Sequence, residues 1–468
     1  METIEKKENI TKQTESPYEK EYELGITPNS ILCQKYDNFY IYSETDFHPF
    51  SFCTGHRKWG YNQKGFLTSP SPTLLKKTEF IKRPNLTKES ILRGQIIDER
   101  KGLVLIDPFI CKKFGGIIKD FLSALLTLAT GKKVSLKVRL FEPKSVLQRV
   151  PEYWSTLPTL ITPTYNSEMN PIERMKYIMS FGVSGLYLTT NQLKPFNPLI
   201  CETYEAEFDN DPYHTKVYCE QTSNYPTTSR FYLINSELKI HGFVDLATKV
   251  EKLGMNLSIL TKGYVNLEYT KLKEKITYIF PSVKMCNVIT QTGRSCYYKD
   301  CLIFIDKKNK LKGIIQLGLD SYHITNFKGY IIEMDYEEDY KVDYDKEQYW
   351  GYYFNANKYK ILETCEGSWL KDIKFGDKVY WDIDKIIPNW IKPVDNPIPS
   401  DGRYREDLIW LYRSFYLSSD DKEMQKYEDL AQEWKLMVEK LQREEREMKA
   451  RKNKKKKGGW FGFGLGIL

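Results

Sequence analysis

A chain of 468 residues, 41% of them hydrophobic, can bury a large core, so length admits one big domain or two or three ordinary ones. The formal net charge of +8 sits at one end: residues 449–468 hold seven Lys and Arg and no acid, leaving the body close to neutral. A near-neutral body argues against a nucleic-acid binder, and no uncharged apolar run approaches the roughly 18 residues that a helical membrane span needs.

The chain opens with METIEKKENITKQTE, which lacks the apolar core of a secretory signal. Nine cysteines, scattered without paired spacing from Cys33 to Cys365, read as free thiols in a reducing cytosol. Residues 1–96 form an N-terminal extension of unknown function: partly disordered at first, aromatic enough over 36–66 to be ordered, then loop-like at the SPSP run 69–72. Ile117, Ile118, Phe121, Leu122, Leu125, Leu126 and Leu128 recur at helical spacing before Gly131, a residue suited to a helix C-terminus. Periodicity alone makes this an ordinary core helix. Asn170, Pro171 and Glu173 supply a cap, a first-turn proline and an acid to a second helix that should bury Ile172, Met175, Ile178 and Met179. Its GVSG run is not a nucleophile elbow, which requires G-x-S-x-G.

Beyond Cys201 the pattern changes to strands. Leu238, Ile240, Gly242, Val244 and Leu246 alternate with more polar neighbours, as do Val265, Leu267 and Tyr269, then Ile276, Tyr278 and Phe280. Turns are predicted at 306–310, at 355–357 and at Gly376 with Asp377. Short strands joined locally imply an antiparallel sheet, and closure into a barrel is the usual way to remove its edges. A last helix begins near Ser418 and Ser419, with Met424, Tyr427, Leu430, Trp434, Met437 and Leu441 as its apolar stripe. Lys435, Glu439 and Arg443 follow at i, i+4 and i+8 on an adjacent face, which by itself reads as a solvated ion-pair ladder. The chain ends in GGWFGFGLGIL after its basic run, a polybasic and aromatic tail able to meet an anionic lipid surface through Lys454, Lys455, Trp460 and Phe461, or to pack back on its own domain. Five dispersed histidines, no zinc-ligand spacing apart from an isolated Cys53 and His56, and no complete phosphate loop at Gly131 and Lys132 point away from an enzyme, a metal or a cofactor.

Two segments carry a resemblance. KPFNPLICE at 194–202 is followed by EQTSNYP at 220–226, and the two resemble the fingerprint of the oxysterol-binding-protein-related family, a KP(L/F)NP-x-x-GE run followed by EQVSHHPP. Glu220, Gln221, Ser223 and Pro226 match, whereas Asn224 and Tyr225 occupy the two histidine positions, Thr227 replaces the last proline and Cys201 stands for glycine. The resemblance implies an α+β, mainly β fold: a large near-closed antiparallel barrel enclosing a lipid tunnel, with an N-terminal lid helix and C-terminal helices. It makes the segment with Phe121, Leu122 and Leu125 the lid, and it spans residues 97–450, leaving 451–468 as the tail. It further implies that Lys194, Lys435, Glu439 and Arg443 recognise a phosphorylated inositol headgroup, the two helix cations being oriented by Glu439.

Asn224 and Tyr225 can donate hydrogen bonds but cannot become cationic as histidine can. The expectation is a non-enzymatic monomer that binds and transfers a sterol or phospholipid, with a weakened or altered phosphatidylinositol 4-phosphate site. It would work in the cytosol, peripherally on intracellular membranes. A lipid sensor or tether that does not transport cargo is the alternative, and a lipid hydrolase a distant third.

Overall fold

The computed structural model describes residues 86–116, 119, 135–200, 202–224, 227–252, 255–334, 356–395, 397 and 400–460, with fragments at 39–41 and 59–61. The fragments, β1 (Phe39–Ile41) and β2 (Trp59–Tyr61), pair antiparallel. The folded body begins upstream of residue 97. Helix α1 (Lys88–Leu92) is capped by Thr87 and buries Ile91 and Leu92 in the main core. Strand β3 (Gln95–Asp98) then pairs with β4 (Gly102–Leu105), so the boundary expected at 96/97 falls inside a strand. Helix α2 (Pro108–Lys113) is capped by the Asp107 carboxylate. The lid segment with Phe121, Leu122 and Leu125 lies outside the described residues.

A parallel pair, β5 (Phe141–Ser145) with β6 (Lys194–Phe196), precedes the main sheet. That sheet gathers β7 (Thr203–Phe208), β8 (Lys216–Asn224), β9 (Thr227–Ile234), β10 (Leu238–Glu251) and β11 (Asn256–Tyr269). It continues through β12 (Glu274–Ile279), β13 (Ser282–Cys286), β14 (Ser295–Asp306), β15 (Leu311–Leu317) and β16 (Asn326–Glu333). It ends with β17 (Ile361–Ser368), β18 (Asp372–Phe375), β19 (Lys378–Asp382) and β20 (Ile391–Pro393). With β3 and β4 it counts sixteen strands, paired antiparallel, and most chain neighbours are also sheet neighbours. Leaving β19 at Asp382, the chain re-enters at Ile391 and lays β20 on β7, the opposite end of the strand order. The result is a near-closed barrel whose last gap is crossed by chain rather than by hydrogen bonds.

Helix α3 (Pro171–Ser184), capped by Asn170, fills the concave side. Its contacts span the ring: Arg174 pairs with Glu274 on β12, Lys176 with Glu363 on β17, and Glu173 with Lys378 on β19. Just before it, Trp154 donates to Tyr278 on β12 and packs on Phe231 of β9. The sequence predicted one buried face for α3, with Ile172, Met175, Ile178 and Met179 in it; Ile172, in the first turn, is only half-buried, whereas the other three lie in the core. Those three are buried, but so are Ser180, Phe181, Val183 and Ser184, which complete the turn, because sheet surrounds this half of the helix.

Two C-terminal helices close the described chain, α4 (Glu406–Tyr416) and α5 (Asp421–Trp460). At about 1.5 Å per residue α5 is roughly 60 Å long, and it runs past residue 451, where a separate tail was expected. Its cap is Asp420, which accepts from the amides of Lys422 and Glu423. Among the described residues no helix is long and apolar enough to cross a membrane.

Candidate functional site

The site is built on an apolar floor. Phe141 stands opposite Lys194 in the β5–β6 register and packs on Phe196, with ring centroids 4.8 Å apart. Val138, Leu408, Leu411 and Ala431 complete the cluster, which fastens α4 and α5 to these two strands.

Two lysines converge on that floor. Lys194 Nζ lies 5.0 Å and Lys435 Nζ 5.2 Å from the centroid of the same Phe141 ring. Lys435 is only 4% exposed, and its ammonium donates to Ser135 Oγ (2.9 Å) and to Glu439 Oε1 (2.6 Å). Half-buried Lys194 donates to the Pro195 carbonyl (3.1 Å) and to Asn197 Oδ1. Burial lowers the Lys194 ammonium to about 8; the charges of Lys435 and Arg405 act in the same direction and Glu439 opposes them. Arg443 is exposed, 3.8 Å from Glu439 Oε2. Glu439 thus stands between two cations on its own helix, while Lys194 brings a third from β6.

The solvated ladder read from periodicity is therefore corrected at Lys435. The buried line of α5 is Glu428, Ala431, Lys435 and Val438, and the apolar residues expected to lead, such as Tyr427 and Trp434, are only half-buried beside it. Polar partners on the body explain the shift. Glu428 pairs with buried Lys113, Gln432 accepts from the Val138 amide at 2.7 Å, and Ser135 receives Lys435.

The two sequence motifs meet on neighbouring strands. Thr203 pairs with Glu220, and the Gln221 amide donates to the Glu202 carbonyl at 2.9 Å. Glu202 Oε2 accepts from the Leu199 amide and from Arg405, both at 2.8 Å, and Arg405 also grips Asp407 through two hydrogen bonds. Arg405 donates to the Asn197 carbonyl as well (3.0 Å), so it fixes the turn after Lys194. Asn224 is the last residue of β8, opposite Thr227. Tyr225 and Phe461 lie outside the described residues; Lys454, Lys455 and Trp460 fall within α5.

Sequence reasoning missed Ser135, Phe141 and Arg405. Phe141 and Ser135 fall within the GKKVSLKVRLFEP run, and Arg405 within GRYREDL, but neither run announces which side chains meet the lysines. A second unread feature is on the inner wall. Val265 and Leu267 of β11 are fully buried, whereas Leu257 and Ile259, on the same face by the two-residue period, stay partly exposed beside Val283. The concave side is thus apolar but incompletely filled at that end.

A near-closed barrel with a cation cluster at the strand and helix junction defines a binding barrel, and the described residues contain no group of His, Cys, Asp and Glu that could hold a metal. The family model described as Oxysterol-binding protein matches residues 130–385, more than half of the sequence, and the chain belongs to that family. It is similar to oxysterol-binding protein 9 of Dictyostelium discoideum, 26% identical over 338 residues, which cover 69% of this chain and 76% of that one. Oxysterol-binding protein-related protein 2 of Mus musculus is 28% identical over 205 residues, 39% of this chain but only 41% of the relative. The fold is like that of the Osh1 ORD domain crystallised with cholesterol, at a TM-score of 0.52 and 17% identity, over 82% of this chain and 89% of that one.

Proposed function

We propose that the protein binds one lipid, a sterol or phospholipid, inside the barrel and carries it between cytosolic membrane faces without chemical conversion. The observation that carries this reading is the convergence of Lys194 and Lys435 on Phe141, with Arg443 outside them and Glu439 as the carboxylate joined to both helix cations. Three cations to one acid leave a surplus for an anionic headgroup, and an ammonium over an aromatic floor is held where a phosphate could reach it. The half-open apolar wall of Leu257, Ile259 and Val283 supports an apolar ligand body. In this reading Asn224 and Tyr225 give the phosphatidylinositol 4-phosphate headgroup neutral donors in place of histidines, weakening or altering that interaction. The lid residues Phe121, Leu122 and Leu125 would cover the lipid, and the basic end of α5 with Trp460 and Phe461 would supply transient membrane attachment.

Mass spectrometry of lipids extracted from protein purified out of eukaryotic cells tests this, beside Lys194→Ala with Arg443→Ala and beside Asn224→His with Tyr225→His. A stoichiometric phospholipid or phosphoinositide, lost in the alanine variant and enriched in the histidine variant, is the result expected if the cation site holds the headgroup. A sterol retained in all three would make the barrel a sterol carrier with an idle headgroup site. No bound lipid in any of them would sink the carrier reading in favour of a tether.

A further inference from the structure

Lys435 donates to two oxygens. One belongs to Glu439 on its own helix, and the other is the Ser135 hydroxyl, 2.9 Å away. Ser135 is exposed although its lysine is buried, and residues 135–137 are neither helix nor strand. The segment touches α5 at two points, through Ser135 to Lys435 and through the Val138 amide to Gln432. Its backbone is extended at Lys137, with φ −68° and ψ 141°. An exposed hydroxyl on extended backbone outside the regular elements is open to a modifying enzyme.

The flanking charge is one-sided. Lys132, Lys133, Lys137 and Arg139 all fall within four positions of Ser135, and residues 132–139 contain no acid. Such a segment complements a kinase whose peptide groove is acidic. At the other end of the hydrogen bond, Lys194, Lys435 and Arg443 against the single acid Glu439 leave three positive charges less one, a surplus of two. A phosphomonoester carries close to two negative charges near neutral pH. An ammonium has three donors, so Lys435 can turn its Ser135 hydrogen bond onto a phosphate oxygen and still hold Glu439. Phosphate on Ser135 would match the surplus with no lipid bound.

We propose that Ser135 is a phosphorylation site for a kinase that selects basic segments, and that its phosphate takes the place of an anionic headgroup on Lys435 and so switches the site off. The phosphoryl group comes from a nucleoside triphosphate. Ser135 Oγ bonds to the γ-phosphorus, the bond from that phosphorus to the β–γ bridging oxygen breaks, the nucleoside diphosphate leaves, and the hydroxyl proton passes to the kinase's base. The effect on lipid rests on the headgroup reading of this site, whereas the contact between phosphate and Lys435 does not.

Treat the full chain and Ser135→Ala with cAMP-dependent protein kinase and ATP, and map the phosphate by mass spectrometry. Phosphate at Ser135 is expected, and its absence there overturns the proposal. Phosphorus NMR then titrates the phosphoserine signal that Ser135→Ala lacks, with the urea-unfolded chain as reference. In the folded chain its second pKa should fall from about 6 by roughly half a unit or more, and it should return in whichever of Lys435→Met and Lys435→Gln folds. A value that is unshifted, or shifted equally without Lys435, overturns the proposal whatever the lipid does. Binding to vesicles containing phosphatidylinositol 4-phosphate should weaken about tenfold or more on phosphorylation and recover with phosphatase. The same kinase treatment should leave the affinity of Ser135→Ala as it was. Undiminished binding by the phosphorylated chain overturns the switch. If neither form prefers these vesicles to phosphatidylinositol vesicles although the phosphate is shifted, the headgroup reading fails and takes the switch with it, while the contact between phosphate and Lys435 stands.

Discussion

In the proposed headgroup site, the ionisation of Lys194 would control binding. Its ordinary value is 10.5 and burial brings it to about 8, so the folded chain holds fewer protons here than the unfolded chain between pH 8 and 10.5. The cost of burying this charge is therefore full below about pH 8 and fades as pH rises towards 10.5. An anionic headgroup would reverse the shift, since a phosphate monoester beside the ammonium favours its charged form. Such a phosphate is already a dianion in this window, its second pKa lying near 6. Affinity should then fall as pH rises from about 7.5 to 9.5, by at most tenfold per unit for one proton. Lys194→Arg, charged throughout, should flatten the profile without abolishing binding. Isothermal titration of phosphatidylinositol 4-phosphate presented in vesicles reads both, and a wild-type profile as flat as that of the arginine variant would remove Lys194 from the site. The resemblance at KPFNP singled out Lys194, and the structure sets it beside Lys435 over Phe141; Phe141 and Ser135 were not legible, because contacts between distant segments leave no spacing to read.

Whole elements were legible where their signals are local. Alternation of Leu238, Ile240, Gly242 and Val244 marks β10, Asn170 with Pro171 marks the start of α3, and Gly376 with φ 56° turns β18 into β19. What local signals omit is how closely elements approach. Gly182 of α3 lies so near the sheet that a Cβ there would stand 2.6 Å from Phe304 Cζ, a ring held in the core. On β15 a Cβ at Gly313 would meet mainly Met179 Sδ at 2.7 Å, the far end of a flexible side chain. Gly182→Ala should therefore destabilise by about 1–3 kcal/mol through overpacking, and Gly313→Ala by less. Urea unfolding of both variants measures the order, and equal midpoints would show that Phe304 can yield as readily as Met179. The apolar stripe of α5 fails for a related reason. A helical period ranks faces by hydrophobicity, yet Glu428 and Lys435 are drawn to the body by Lys113 and Ser135, polar partners a single helix cannot announce.

At the scale of the molecule, the fold class follows from strands joined by short connections, which make chain neighbours sheet neighbours and leave closure as the way to remove edges. The filling of the barrel by α3 was not legible, since a core helix looks the same in sequence whether one sheet packs on it or a ring of strands does. The basic end is a different case, because charge needs no fold to be read. Residues 421–443 of α5 reach the body through Glu428, Ala431 and Lys435, while the run Lys449 to Lys457 continues the same helix with no acid in it. Each basic residue near an anionic surface contributes about 1 kcal/mol, less at higher salt because the Debye length is about 8 Å at physiological ionic strength. Removing residues 449–468 should thus weaken binding to phosphatidylserine vesicles by at least tenfold at low salt, and much less at about 0.5 M salt. Binding to neutral vesicles should also fall if Trp460 and Phe461 insert, and should stay unchanged if charge alone attaches the chain. Vesicle co-sedimentation across salt gives both numbers. Undiminished binding to anionic vesicles would move the attachment from this helix to the barrel itself.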